Sequence, residues 1–362
     1  MPSARPGAAE SITHALTTGA RPRVLVRTVT GLEHLAAAPL AAAGHHVIDM
    51  SKRQLIVEPT SASIVTDPPR LADDLFLIGA TLADPGRTKA DLTALARAAR
   101  HRLTVPLRHH PGEGFAVSAS FLGRRTYSRF DIEDVIGTVI AERTGATYHS
   151  RRGAPPPQPR LDWRVVLDGT TAHIALRPFD APLHRRDWRH STVTGSLHPP
   201  VAAAIARLAR VEPGHRVLDP FCGSGTILLE TAQIEPDAVY TGIDRDPGAI
   251  AAARTNTPGG ALVEWRVDDG AHLDLLRTPV DRIVTNPPWG VRLDIGDIAV
   301  HLDRWRRVLR RDGLAVAIVN HRQANALIED PWWRTIDVRE VSVAGRHPRI
   351  VVAQPVTRRH NP

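Results

Sequence analysis

From His215 onward, short unbroken apolar runs alternate with amphipathic stretches. Strands are predicted near 215–219, 239–243, 263–267, 281–285 and 313–319. Helices are predicted near 225–234, 247–256 and 297–311, preceded by one from Pro200 to Arg210. Strands apolar on both faces and separated by helices build a parallel sheet covered on both sides. Two final strands, about 335–344 and 348–355, join through Gly345–Pro348, a hairpin length. The pattern ahead of His215 is less regular. Residues 1–20 are small and polar, with early Pro and Gly, and read as a loose tail. Val24–Val29 reads as a strand, Gly31 opens a helix through about Ala43, and Val47–Ile48, Gln54–Val57 and Ala62–Val65 read as strands. Helices are predicted from about Arg70 and from Lys89 to Arg100. Phe115–Ser120 alternates as a half-buried strand. Asp131 is placed as the cap of a helix with Ile132, Val135, Ile136, Val139 and Ile140 on one stripe. After the stiff connector Gly153–Arg160, Trp163–Leu167 and Ala172–Leu176 pair across Asp168-Gly169.

The 362 residues suffice for two or three domains with real cores. No apolar run is long enough to span a bilayer, and the start lacks the order of a signal peptide. The single cysteine, Cys222, leaves no internal disulfide and no Cys-based zinc site, and reads as a packing residue. His109-His110 lacks the spaced partners of a metal site, so no metal is expected. A cytoplasmic location is expected. The formal charge is +8, and it is uneven: residues 1–160 hold 20 Lys and Arg against 14 Asp and Glu, the remainder 26 against 24. A basic module joined to a near-neutral one suits a polyanion partner plus a catalytic unit, although Arg-richness alone is equally a coding bias.

The candidate chemistry lies in two loops about sixty residues apart. The first, Asp219-Pro220-Phe221-Cys222-Gly223-Ser224-Gly225-Thr226, follows the apolar run Arg216–Leu218. Glycines between a strand and a helix leave backbone N–H groups free for a ligand, and without Cβ atoms they let it approach. The third glycine of a dinucleotide fingerprint is missing, because Leu228 stands there. Asp219 is placed to face an ammonium group or its water. Asp244, ending the next strand about twenty residues on, is placed to hold ribose hydroxyls, with Asp246 ranked below it. Asp269 is preferred over Asp268 for an adenine amine. Taken singly, these are also ordinary turns and caps; it is their order at three strand ends that favours a nucleoside pocket. The second loop is Asn286-Pro287-Pro288-Trp289-Gly290. An exocyclic base amine is a poor nucleophile because its lone pair is conjugated. Two acceptors aimed at its N–H bonds, the Asn286 side-chain oxygen and the Pro287 carbonyl, favour the geometry in which the lone pair can attack. Trp289 offers a face for stacking a base. Together the loops predict methyl transfer from S-adenosylmethionine to an amine on a flipped or unpaired base.

With these motifs the chain resembles the THUMP-domain RNA methyltransferases of the guanine-N2 type, most closely those acting on tRNA and 23S rRNA. The likeness rests on Leu183-His-Arg-Arg-Asp-Trp-Arg189, His198-Pro-Pro200, the Asp219–Thr226 loop and Asp281–Gly290, with looser matches at Arg27–Glu33, Phe115–Ser120 and Arg124–Tyr127. It implies an α/β fold: a C-terminal Rossmann-like class I methyltransferase, with a parallel sheet and an antiparallel terminal hairpin, preceded by an α+β ferredoxin-like/THUMP module. The expected division is a tail over 1–20, a ferredoxin-like part over 21–69, a THUMP RNA-binding domain over 70–178, a linker over 179–200 and the methyltransferase over 201–362. The resemblance implies that Asp219, Phe221, Gly223, Gly225, Thr226, Asp244 and Asp269 bind S-adenosylmethionine. It implies that Asn286, Pro287 and Trp289 hold the guanine, and that Arg124, Arg125, Arg186 and Arg189 contact RNA, the last two alternatively ordering the linker. Tyr is common in the family where Trp289 stands, and Gly where Asp187 stands. The alternatives are a 23S rRNA or DNA amino-methyltransferase, or an RNA-binding factor without turnover.

Overall fold

The computed structural model describes residues 1–107, 112–273, 278–289 and 297–356. His109-His110 and Gly290 therefore lie outside the described residues. The chain divides into two compact units, one of Met1–Arg27 with Ala36–Leu183 and one of Thr28–Leu35 with His184–Pro362.

The first unit runs α1 (Ala8–Thr17), β1 (Val24–Arg27), α2 (Glu33–Ala42, entered from the other unit), β2 (His46–Ser51), β3 (Gln54–Glu58), α3 (Ser63–Thr66) and β4 (Asp74–Ala83). A 3-10 turn at Lys89–Asp91 leads into α4 (Leu92–Arg102), followed by β5 (Gly114–Phe121), α5 (Arg129–Thr144), β6 (Arg160–Leu167) and β7 (Thr171–Leu176). Its seven strands form one sheet in the order β2-β3-β1-β4-β7-β6-β5, with only β5–β6 parallel. The expected boundary between 69 and 70 thus falls within a continuous sheet.

Several expectations are corrected here. Residues 1–20 are no loose tail: α1 buries Ala8 and Ile12, Ser11 Oγ donates to the Pro106 carbonyl at 2.6 Å, and Ala4 bridges Phe179. Ala62–Val65 forms the turn of helix α3, not a strand. No helix starts at Arg70; Asp74–Ala83 is a strand between β1 and β7, where its apolar run is buried from both sides. The cap of α5 is Ser128, whose side chain accepts from the Asp131 N–H, while Asp131 reaches back to the Ser128 N–H in a reciprocal box.

The second unit runs α6 (Pro199–Ala209), β8 (Arg216–Asp219), α7 (Thr226–Ile234), β9 (Val239–Asp244), α8 (Pro247–Asn256), β10 (Val263–Val267) and β11 (Val280–Thr285). It continues with α9 (Ile298–Val308), β12 (Leu309–Val319), α10 (His321–Glu329), β13 (Trp333–Glu340) and β14 (Arg349–Pro355). The sheet order is β10-β9-β8-β11-β12-β14-β13, its first five strands parallel and β14 antiparallel to both neighbours. This is the class I methyltransferase arrangement expected from the sequence. β11 is buried along its whole length, as a central parallel strand requires. Trp305 is fully buried among Ile283, Leu302, Ala315 and Val319, as a core anchor. Trp333 is buried, and the β13–β14 register puts Trp332-Trp333 beside Pro355, at the edge of the sheet away from the Asn286 loop. On α9 and its exit, Arg306 and Arg307 pair with Asp303, and Arg310 pairs with Asp281, an ordinary solvated surface. The segment 28–35 also belongs to this unit: Ser342 N–H donates to the Thr30 carbonyl at 3.0 Å, and Gly31 (φ 93°) lies so close to the Glu340 carbonyl that a Cβ would not fit. No described helix is long and apolar enough to cross a membrane.

Candidate active site

The two loops meet because β8 and β11 are hydrogen-bonded neighbours in parallel, with Val217 opposite Arg282 and Leu218 opposite Ile283. Their carboxyl ends, Asp219 and Thr285-Asn286, therefore open on the same edge of the sheet. β9 lies on the other side of β8 and brings Asp244 to that edge. This is the position in an open α/β sheet at which chain connections diverge and a crevice forms.

The glycine loop is bound into the sheet edge. Cys222 N–H donates to the Ile243 carbonyl at 2.9 Å, and Gly223 N–H donates to Asp244 Oδ2 at 2.9 Å. The second oxygen of Asp244 accepts from Asp246 N–H at 2.9 Å, while Asp246 itself caps α8. Gly223 and Gly225 both have left-handed backbone, φ 52° and 82°. Their reasons for being glycine differ. A Cβ on Gly223 would meet only Val193, at 3.7 Å, which leaves room for a ligand; a Cβ on Gly225 would lie 2.6 Å from the Trp265 indole. Gly225 is thus needed to seat Trp265 of β10. It also precedes Thr226, the first residue of α7, whose buried hydroxyl has no partner. Phe221 packs edge-to-face on His301 at 5.2 Å, Cys222 is buried, and Gly270 lies close against the Pro220 carbonyl, which brings the exposed Asp269 turn to the same crevice.

Asp219 is fully buried and accepts from Phe221 N–H at 3.0 Å. Burial, with the Asp244 charge added, pushes its carboxyl up to about 7. A buried carboxyl at that value is poised to ionise when a cation arrives.

The Asn-Pro-Pro-Trp loop presents Asn286 Oδ1 buried and without a hydrogen-bond partner, while Nδ2 leans on the Gly195 carbonyl at 3.4 Å. Orphaned buried acceptors are rare in folded proteins, and this one directly follows β11, the strand beside the one that leads into the glycine loop. The rest of the loop is held from behind. Asn320 and Gln323, the reciprocal cap of α10, donate to the carbonyls of Trp289 at 3.0 Å and Pro288 at 2.9 Å. Trp289 Nε1 donates to the Ile318 carbonyl, so the indole is fixed. Sequence reading missed α10 and this clamp, although Asn-x-x-Gln directly after a buried strand is a capping signature. It also missed Val193–Ser196, which touches both loops through Ser196–Ser224 at 2.9 Å and Gly195–Asn286. Asn320→Ala is expected to lower turnover about tenfold while leaving cofactor affinity within twofold, read by steady-state kinetics and calorimetry.

Two of the arginines assigned to RNA are corrected. The Arg125 side chain is shielded from solvent, with both terminal nitrogens on Asp84 at 2.7 and 2.6 Å and further bonds to Gly86 and Tyr127; it braces its own turn. Arg186 is wholly buried against Glu230 at 2.6 Å, which removes it as an RNA contact and fits its alternative role of ordering the linker. Arg189 is half-buried and donates to the Leu197 carbonyl at 3.1 Å, in keeping with ordering the linker. Arg124 is exposed.

The donor set fits S-adenosylmethionine: a buried carboxyl for an ammonium, an open glycine, a free helix start and an aspartate beside them. Comparison with known proteins agrees. Residues 186–349 match the family model UPF0020, RMKL-like, methyltransferase domain. The chain is 34% identical over 301 residues to the tRNA (guanine(6)-N2)-methyltransferase of Thermus thermophilus, covering 79% of this chain and 84% of that one. It is 29% identical to the bovine U6 snRNA (guanine-N(2))-methyltransferase over 60% of this chain, but spans only 42% of that longer protein. The crystal structure of TrmN from Thermus thermophilus superposes with a TM-score of 0.78 at 28% identity, covering 92% of this chain and all of that one. The chain belongs to the RMKL-like family of S-adenosylmethionine-dependent RNA guanine-N2 methyltransferases.

Proposed function

We propose that the protein methylates the exocyclic N2 of a guanine in tRNA, in the cytoplasm, and that unit 1 carries a THUMP-type RNA-binding module over about 70–178. The observation that carries this reading is the buried, unpartnered Asn286 Oδ1 one strand away from the glycine loop. S-adenosylmethionine, when bound, supplies an electrophilic methyl group. Asp219 would pair with its ammonium, Asp244 would take the ribose hydroxyls and the Asp269 turn would take the adenine edge. Asn286 Oδ1 and the Pro287 carbonyl accept the two N2 hydrogens, and the base lies on Trp289. The N2 lone pair would then point along the line of attack; as the new N–C bond forms, the methyl–sulfur bond would break with its electron pair kept by sulfur, and the surplus proton would leave the nitrogen to solvent. Guanine in a duplex cannot enter such a pocket, so the target nucleotide is flipped out or unpaired. Arg124 remains a phosphate contact, and the Thr226 hydroxyl faces the cofactor.

Nucleoside mass spectrometry of tRNA, rRNA and DNA incubated with the enzyme tests the reading. N2-methylguanosine in tRNA is expected; product confined to rRNA or DNA would replace the substrate, and methyladenine would replace the base. The Asp219 carboxyl adds a pH dependence. Its folded value is raised from 3.8 to about 7, so it is mostly protonated below that pH. Cofactor binding must then expel a proton, and affinity should improve about fivefold from pH 6 to 7, approach tenfold per unit below that, and level off by about pH 8. The cofactor-free protein has the opposite trend: a raised carboxyl makes folding less favourable as pH climbs from about 4 to about 7. Calorimetry in two buffers of different ionisation enthalpy reads the proton directly; pH-independent binding with no proton released would remove Asp219 from this role.

A further inference from the structure

One face of the seven-stranded sheet in unit 1 carries a row of charged side chains that the methyl-transfer site does not use. Register places Gln54, Arg27 and Asp74 side by side across β3, β1 and β4, and Ser118 beside Arg164 across β5 and β6. Along β6 this face is half-open at Arg160, Asp162 and Arg164, whereas Leu161, Trp163 and Val165 on the opposite face are buried. The row has more cations than anions. Arg177 takes Asp74 at 2.7 Å and Asp162 at 2.6 Å, and Arg160 shares Asp162 at 2.9 Å. Both carboxylates are thereby engaged. Arg164 is left with two hydroxyls, Ser118 Oγ at 3.3 Å and Ser120 Oγ at 2.8 Å, and Arg27 with the Gln54 amide oxygen at 3.1 Å. The nearby Glu133 is occupied by the Ala119 N–H at 2.9 Å and by Arg151 at 3.6 Å.

A guanidinium taken partly out of water without a counter-ion is costly, and a second one nearby adds repulsion. The titration behaviour agrees. Burial, then the Arg27 charge, brings Arg164 down to about 10 against the weaker pull of Asp74, and burial, then Arg53, lowers Arg27 although Asp73, itself paired with Arg53 at 3.5 Å, and Asp74 act on it the other way. By contrast Arg177 is raised, because the attraction of its two aspartates outweighs burial. A fold under no other demand relieves such a strain by placing a carboxylate or an apolar residue there. Its retention, beside hydroxyls that can share an anion's oxygens, fits a site completed by a ligand.

We propose that this row binds the phosphodiester backbone of an RNA strand, with Arg164 and Arg27 as the charged contacts and Ser118 and Ser120 as hydroxyl partners. Arginine's planar fork suits phosphate oxygens, and backbone contacts of this kind position an RNA without reading its sequence. The proposal rests on the reading of the protein as an RNA methyltransferase, but it concerns a separate surface.

The test uses the full chain, a fluorescein-labelled 20-nucleotide single-stranded RNA and total tRNA, titrated by anisotropy from 50 to 300 mM salt. Arg164→Gln and Arg27→Gln should each weaken binding about 5- to 20-fold near physiological salt and make the salt slope shallower by roughly 0.7 per lost contact. Thermal midpoints should stay level or rise, because an uncompensated charge has been removed. Unchanged affinity and slope would overturn the site, most clearly alongside a fall in midpoint, which marks a structural arginine. If affinity and midpoint fall together, Ser120→Ala decides: weaker RNA binding at an unaltered midpoint upholds the site, and unaltered binding rejects it. Inorganic phosphate competing as well as RNA of equal phosphate content would reduce it to a small-anion site and also overturn it. Cofactor affinity, measured in parallel, should remain within twofold. If no RNA is methylated yet Arg164→Gln still loses RNA affinity, the methyltransferase reading falls and the binding surface stands.

Discussion

Asn286→Ala should lower turnover at least about 100-fold while RNA and cofactor affinities stay within about twofold of the wild type. The effect is large because the residue's oxygen acts where the reaction needs it. Guanine N2 shares its lone pair with the ring, and methylation requires that sharing to be withdrawn. An acceptor fixed in a buried position stabilises the pyramidal nitrogen more than the planar one, which is differential binding of the transition state. Removing one preorganised hydrogen-bond partner of this kind typically costs about 100- to 1,000-fold in rate. The structure makes Asn286 suited to it: Oδ1 has no competing donor, and the loop behind it is clamped by Asn320 and Gln323. Single-turnover methylation with saturating RNA and cofactor isolates the chemical step. Asn286→Asp keeps an acceptor and should retain more activity than alanine. A loss of RNA affinity as large as the loss of rate would mean that Asn286 holds the RNA and does not act on the amine.

Arg186→Ala should destabilise the enzyme by about 3–5 kcal/mol, the usual consequence of stranding one member of a buried ion pair. Both side chains are completely shielded, and Nε of Arg186 lies 2.6 Å from Glu230 Oε1. Glu230 belongs to α7, whose first residue follows Gly225, so the pair ties the segment ahead of α6 to the helix that carries the cofactor loop. Replacing both residues by methionine should recover most of the loss, because no orphaned charge remains. Urea unfolding measures the difference. The salt slope of RNA binding should be the same in Arg186→Ala and the wild type, since the side chain reaches no phosphate; a shallower slope would restore Arg186 as an RNA contact.

What could be read from the chain follows from how local each signal is. The parallel sheet of the second unit was legible because a buried parallel strand is apolar at every position, and β11 is buried throughout. The cofactor and base loops were legible because glycine and proline state their backbone requirements directly. Arginine makes no such statement. Arg125 and Arg186 look like RNA ligands in a basic sequence, and only their partners Asp84 and Glu230, about forty residues away in each case, show them to be internal. Asp74–Ala83 was misread for a related reason: its ten residues have the length of a short helix, and what makes them a strand is pairing with β1 and β7, one of which has not been reached in the chain at that point. Glycine's reason is also nonlocal. Gly225 looks like a ligand-facing residue, yet Trp265, forty positions on, is what excludes a side chain there.

Residues 28–35 are counted with the methyltransferase unit, whose remaining chain starts only at His184. During synthesis this strap leaves the ribosome early and must wait for more than 300 further residues before Ser342 can bond to it. Completing the catalytic unit is therefore a late, long-range closure and not a local one. A fragment cut at His184 to isolate the catalytic half would lack its strap, expose the backbone of the Glu340–Ser342 edge and forfeit the seat of buried Leu32. Anyone dissecting this enzyme has to carry that octapeptide along, supplied in trans or spliced to the new start.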